Sequence, residues 1–161
     1  MNRVIDKANE IYRQYGNDLD EITQSLGLSV ISEEMEGRLT EFYVPGMIAV
    51  NSRLSSRKQR ELIAHAIGHH LMHAGNHLAM QKRIYSFGNY HEKQANVFAA
   101  CLLMPSEEFQ KHLKGRPRTD EIANHFQVTE ELVRLRLLVW VNFEKLALPM
   151  RDAPVHRRTA S

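Results

Sequence analysis

A chain of 161 residues with 43% hydrophobic and 25% charged residues has the size of one ordinary globular domain and enough apolar side chains to bury a core. Its 21 Lys and Arg stand against 19 Asp and Glu and are scattered, so no basic arm or stripe announces nucleic acid. The opening stretch "MNRVIDKANEIYRQYG" lacks the apolar run of a signal peptide or membrane span, and the single Cys101 excludes an internal disulfide framework; together they point to the cytoplasm and away from a membrane.

Val4, Ala8, Ile11 and Tyr15 recur at helical spacing until Gly16, which predicts a first helix. "DLDEITQSLG" reads as a short second helix closed by Gly27. Three runs with strand character follow, "LSVIS" (28–32), "LTEFYV" (39–44) and "MIAVN" (47–51), and the turn residues between them predict a small antiparallel sheet. A long helix capped by Ser55 or Ser56 runs to about Ala74. Residues 75–90 read as a loop, 91–103 as a helix that ends before Pro105, and "SEEFQKHLKG" as another closed by Gly115. "TDEIANHF" and "TEELVRLRLLVW" each begin with a Thr able to cap. The expected whole is an α+β domain over residues 1–147, a three-stranded antiparallel sheet packed with a mostly helical body, followed by a flexible tail at 148–161.

The stretch "RELIAHAIGHHLMH" carries the chemistry. On a helix His65 and His69 lie one turn apart on one face, where both imidazoles reach a single ion, while Ile63, Ile67 and Leu71 form a core stripe on the opposite side. His73 is too far along to share that ion with His65, since eight residues rise about 12 Å. The metzincin pattern fails too, with Met72 at its Gly and Gly75 at its His. What remains is a carboxylate from the next helix, and Glu92 stands 92 − 69 = 23 residues after the second histidine. Two histidines, a glutamate and one open position make a catalytic type of zinc site. Ala95, Asn96 and Ala99 share a face with Glu92, and these small residues, with Gly68 opposite, would allow the two helices to approach closely; Cys101 lies elsewhere on the helix, as a buried apolar residue.

"RELIAHAIGHHLMH" followed by "HEKQANVFAACLLMP" resembles the ImmA/IrrE family of zinc metallopeptidases, in which an A-H-E-h-G-H-x-h-h-H helix (h apolar) precedes E-x-x-A-N-x-F-A-A-x-L-L-M-P. Ala64, His65, Gly68, His69, His73, Glu92, Ala95, Asn96, Phe98 and the run from Leu102 to Pro105 fit, and "VPGMIAVN" resembles the family's strand and turn before the zinc helix. The resemblance implies a zincin-like two-helix site with His65, His69 and Glu92 as Zn²⁺ ligands. It also implies an endopeptidase that cleaves a helix-turn-helix repressor of the Xre type and so derepresses stress or mobile-element genes.

Ala66 departs from the pattern, because the family's catalytic glutamate falls there. Alanine accepts no proton, and losing a general base costs about 10² to 10⁴ in rate. Glu61, one turn earlier, points to the wrong end of the site to replace it. One residue missing from otherwise intact motifs is what an engineered Glu to Ala change leaves; the alternative is a natural non-catalytic pseudopeptidase that sequesters a protein partner. His73, Asn96, Tyr85 and Tyr90 are candidates to support the ligands or to stabilise an oxyanion, with His77 and His91 also near. Met47, Ile48 and Ala49 could form an edge strand against which an extended substrate adds. Residues 119–140 resemble a helix-turn-helix offering Arg134 and Arg136, but the second helix is so rich in leucine and valine that packing explains it better than a DNA groove.

Overall fold

The computed structural model describes residues 1–37, 39–72 and 88–145. The chain opens with α1 (Asn2–Tyr15), which turns its apolar face, Val4, Ile5, Ala8 and Ile11, into the core and ends at Gly16. The Asp18 side chain accepts from the backbone N–H groups of Asp20 and Glu21 and so starts α2 (Leu19–Ser25). Three strands follow, β1 (Ser29–Glu33), β2 (Glu41–Val44) and β3 (Met47–Asn51).

The sheet is mixed, not antiparallel throughout, and its order is β1-β3-β2. β2 and β3 form the expected hairpin across Pro45 and Gly46, where Gly46 takes a φ of 86° that suits only glycine in such a turn. β1 pairs parallel with the other side of β3, from Ser29 opposite Met47 to Glu33 opposite Asn51. This arrangement requires the chain to pass from β1 around the end of β3 before β2 begins, and Asn51 organises the crossing. Its amide donates to the Met35 and Leu39 carbonyls, and its Oδ1 accepts from the Arg53 N–H. Alternation of side chains gives strand spacing but not partner order, which is why strand pattern alone suggested a simple meander. The same topology corrects the placing of Met47, Ile48 and Ala49 on an edge. β3 is the central strand with both sides paired, and the edges are β1 and β2.

Ser55 accepts from the Lys58 N–H and opens α3 (Ser56–Met72). α4 (Gly88–Leu103) begins three residues earlier than expected; the remainder of the predicted loop, like residue 73 onward of the long helix and the predicted tail, lies outside the described residues. Then come α5 (Ser106–Leu113), α6 (Thr119–Phe126), α7 (Glu130–Val139) and a π-helical turn over Trp140–Glu144. Thr129 caps α7 through the Leu132 N–H, as expected. Thr119 does not cap α6: it is the first helical residue, and the Glu121 carboxylate instead accepts from the Arg118 N–H.

α4 is the centre of the helical body, packed between α1 and α3 and touching α7. From Val97 to Met104 every side chain is buried. A fully buried Phe or Leu contributes about 1.5–3 kcal/mol, so this run alone anchors the fold. Arg136 of α7 is wholly buried; it donates to the Met104 carbonyl, pairs with Glu144 and lies over the Phe109 ring. None of the described helices is long and apolar enough to cross a membrane.

α3 and α4 approach so closely at Gly68 that a Cβ there would sit 3.2 Å from the Ala95 Cα and 3.0 Å from Phe98 Cδ1. Gly68→Ala would gain about 1 kcal/mol of helix propensity. Overpacking a tight core costs about 1–3 kcal/mol, and backbone is among the atoms in the way, so a net loss of stability of up to about 2 kcal/mol is expected. Urea unfolding of the variant checks this; an increase in stability would contradict the close contact.

Candidate metal centre

His65 and His69 leave the middle of α3 one turn apart, and Glu92 leaves the first half of α4 opposite them. The expected convergence is present: one ligand atom from each of the three lies within 4.8 Å of the other two. Nε2 of His65 is 3.0 Å from Nε2 of His69, and the Glu92 oxygens stand 3.3 Å from His65 and 3.1 Å from His69. A tetrahedral zinc ion with donors at about 2.0–2.1 Å holds neighbouring donor atoms about 3.3 Å apart, close to each of these three separations.

The donor chemistry fits as well. Nδ1 of His65 is 3.0 Å from the Asn96 amide oxygen, which accepts its proton and leaves the Nε2 lone pair turned toward the cluster. Two imidazole nitrogens and a carboxylate then face one point, an arrangement that a cation satisfies. The face that carries the histidines, opposite the apolar stripe, is itself enclosed. Both histidine side chains are only 9% exposed, covered by α4 and by β2, whereas the Glu92 side chain is 51% exposed and marks the side on which the cluster opens. The stripe of Ile63, Ile67 and Leu71 does pack toward the core, with Ile67 fully buried.

Charge in the cluster is strongly coupled. Hydrogen bonds from His65 and His69 hold the Glu92 carboxyl well below the usual carboxylate range, against the opposing pull of burial. Burial pulls the His65 imidazole down, but the Glu92 hydrogen bond and the charges of Glu41 and Glu92 outweigh it and raise it.

Glu41 was missed by sequence reasoning. It begins β2, and its Oε1 lies 3.4 Å from Nε2 of His65, while its Oε2 is buried with no hydrogen-bond partner among the described residues. Burial pushes its carboxyl up, opposed by His65 and His69. The only available signal was its register with Tyr43 on the strand, which meant nothing until the sheet was placed over α3. A cavity of about 210 Å³ beside the cluster is lined by Glu41, His65, Glu92 and Asn96.

The other predicted residues are placed as follows. Ala66 is 1% exposed and belongs to the core cluster. Glu61, expected to point to the wrong end of the site, lines that same cavity, with its Oε1 accepting from the Thr129 N–H at 2.6 Å, at the start of α7. Tyr90 is exposed beside His91, and His73, His77 and Tyr85 lie outside the described residues. Met47 is half-buried, and Ile48 and Ala49 are buried with their strand paired on both sides. Of the two arginines in the helix-turn-helix-like stretch, Arg136 is buried and Arg134 pairs with Glu130.

The chain is an α+β protein with a mixed three-stranded sheet, in which two histidines four apart on one helix meet a glutamate of the next in a group that could hold a metal ion. The chain belongs to the IrrE N-terminal-like domain family of M78 metallopeptidases, whose pattern matches residues 23–138. It is 29% identical over 123 residues to the phage-like element PBSX protein XkdA of Bacillus subtilis (strain 168), covering 74% of this chain and 61% of that protein. Its fold is similar to that of a Mycobacterium tuberculosis transcriptional regulator, with a TM-score of 0.67 at 21% identity, covering 85% of this chain and 47% of the other. The chain therefore spans less than two thirds of the length of either relative.

A metal ion takes the unprotonated imidazole, so it competes with the proton for His65. Because His65 is raised above the ordinary histidine value, zinc affinity should fall as pH drops and begin falling above about pH 6.5. Competition with a chromophoric chelator between about pH 8 and pH 5 measures this, and an affinity that stays flat through the histidine range would contradict it.

Proposed function

We propose that this domain holds Zn²⁺ through His65, His69 and Glu92 and acts on a protein partner, a DNA-binding repressor of the Xre type, as a metallopeptidase weakened by alanine at position 66. The converging His, His, Glu cluster carries this reading, and membership of a metallopeptidase family supports it. The similarity to a phage-like element protein agrees with a setting in mobile elements. Direct DNA binding is disfavoured by the burial of Arg136.

Bound zinc would supply a Lewis acid that polarises a peptide carbonyl and activates water. The rest falls to the chain. Asn96 fixes the tautomer and ring orientation of His65, the two helices hold the donors rigidly, and half-exposed Glu92 leaves room for substrate at the open side. Position 66 adjoins the first histidine, where a glutamate would take a proton from water and later deliver it to the leaving amine. Alanine can do neither, and Glu61 is already spent on α7. A second reading, a zinc-holding module that sequesters the repressor without cutting it, draws on the same alanine.

Ala66→Glu separates the two. The Glu variant should cut an Xre-type repressor encoded beside its gene about 10² to 10⁴ times faster than the parent. Ala66→Gln, equally bulky but unable to accept the proton, should not. Zinc content and circular dichroism confirm that each variant is folded. A zinc-loaded, folded Glu variant that grips the repressor without cleaving it would favour the sequestering role.

A further inference from the structure

Given the metal site read above, we propose that Glu41 is the proton acceptor of this centre, supplying from the sheet the carboxylate that position 66 of α3 lacks. The placement is built by the fold. Successive strand residues alternate in direction, so Glu41 and Tyr43 point the same way from β2 while Phe42 points outward. Both inward side chains meet α3: Glu41 reaches His65, and the Tyr43 hydroxyl lies 2.7 Å from Nδ1 of His70. Two residues along a strand span about 6.7 Å. Five residues along a helix rise about 7.5 Å. The near match lets β2 lie along α3 with both contacts made at once, and the Tyr43 contact fixes the register that puts Glu41 over the cluster.

Glu41 stands outside the compact group of His65, His69 and Glu92, touching it at His65. That is the position of a group acting on water beside the ion, one step removed from the ligands. Its Oε2 is buried and has no hydrogen-bond partner among the described residues, although a buried carboxylate oxygen ordinarily requires one. The cavity of about 210 Å³ next to it, shared with His65, Glu92, Asn96 and a second carboxylate, Glu61, has room for water and a small ligand group; the Glu61 Oε1 is held by the Thr129 N–H, and Glu61 makes no contact with His65 like that of Glu41. Ala66 does not line that cavity.

The step balances without a further reagent. Water gives one proton to a Glu41 oxygen as its own oxygen bonds to the peptide carbonyl carbon, and the carbonyl π pair moves to the carbonyl oxygen. The pair returns as the C–N bond breaks, and the proton on Glu41 passes to the departing nitrogen. One carboxyl and one amine terminus result. The weak cleavage left to a chain with alanine at position 66 then depends on Glu41.

The test uses the full chain loaded with Co²⁺, whose visible spectrum reports both occupancy and inhibitor binding, and acetohydroxamic acid as the probe. Hydroxamate oxygens bind the metal, and the proton of the bound group requires a nearby acceptor. Glu41→Gln should hold one Co²⁺ with affinity within about threefold of the parent, yet bind acetohydroxamate about tenfold or more weakly, because a charge-assisted hydrogen bond is lost. Glu41→Asp should recover part of that loss. A Gln variant that binds acetohydroxamate as the parent does overturns the proposal. So does a loss of Co²⁺ affinity of about tenfold or more, which would make Glu41 a ligand. If the parent itself takes up no Co²⁺, the metal reading fails and this proposal with it; if the parent binds Co²⁺ and the probe normally, only the role of Glu41 is at stake.

Discussion

Between α3 and α4 there is room for a hydrogen atom at position 68 and for little more. That approach, Gly68 against Ala95 and Phe98, brings Glu92 of one helix within reach of His65 and His69 of the other. Larger side chains at this contact would move the two helices apart and the Glu92 carboxylate away from the imidazoles. Every side chain from Val97 to Met104 is buried, Phe98 among them against Gly68, so the second half of α4 is held by packing all round its axis. The polar cluster is therefore positioned by apolar burial.

β2 completes the centre from the third direction. Its hairpin with β3 and the Asn51 hydrogen bonds hold the sheet, and the sheet carries Glu41 to the side of His65. The two histidines end up nearly enclosed while Glu92 faces outward, which gives the cluster one accessible side.

The pairing of the two histidines was legible because helical geometry is local. Four residues make one turn, so His65 and His69 had to share a face whatever surrounded them. Glu92 was legible through its small-residue neighbours Ala95, Asn96 and Ala99, which signalled a close helix pair before any packing was known. Partner order in the sheet was not legible, because alternation along "LSVIS", "LTEFYV" and "MIAVN" fixes spacing and face but not which strand lies between the other two. The central place of β3 and the parallel pairing of β1 follow from the Asn51-tied crossing, a contact between residues far apart in the pattern. Glu41 stayed hidden for the same reason: its significance depends on how a sheet lies over a helix. The cap of α6 shows the limit on a smaller scale, since Thr119 and Thr129 look alike in sequence and only Thr129 accepts a capping bond.

The most direct test of the two-helix metal centre is zinc X-ray absorption on the loaded chain. The expected first shell has two imidazole nitrogens and carboxylate or water oxygens at about 2.0–2.1 Å, with no sulfur, and the imidazole signal should disappear when both His65 and His69 are replaced by alanine. A shell containing sulfur at about 2.3 Å, or one made of oxygen alone, would contradict the account, because His65, His69 and Glu92 would then not be what the fold assembles around the ion.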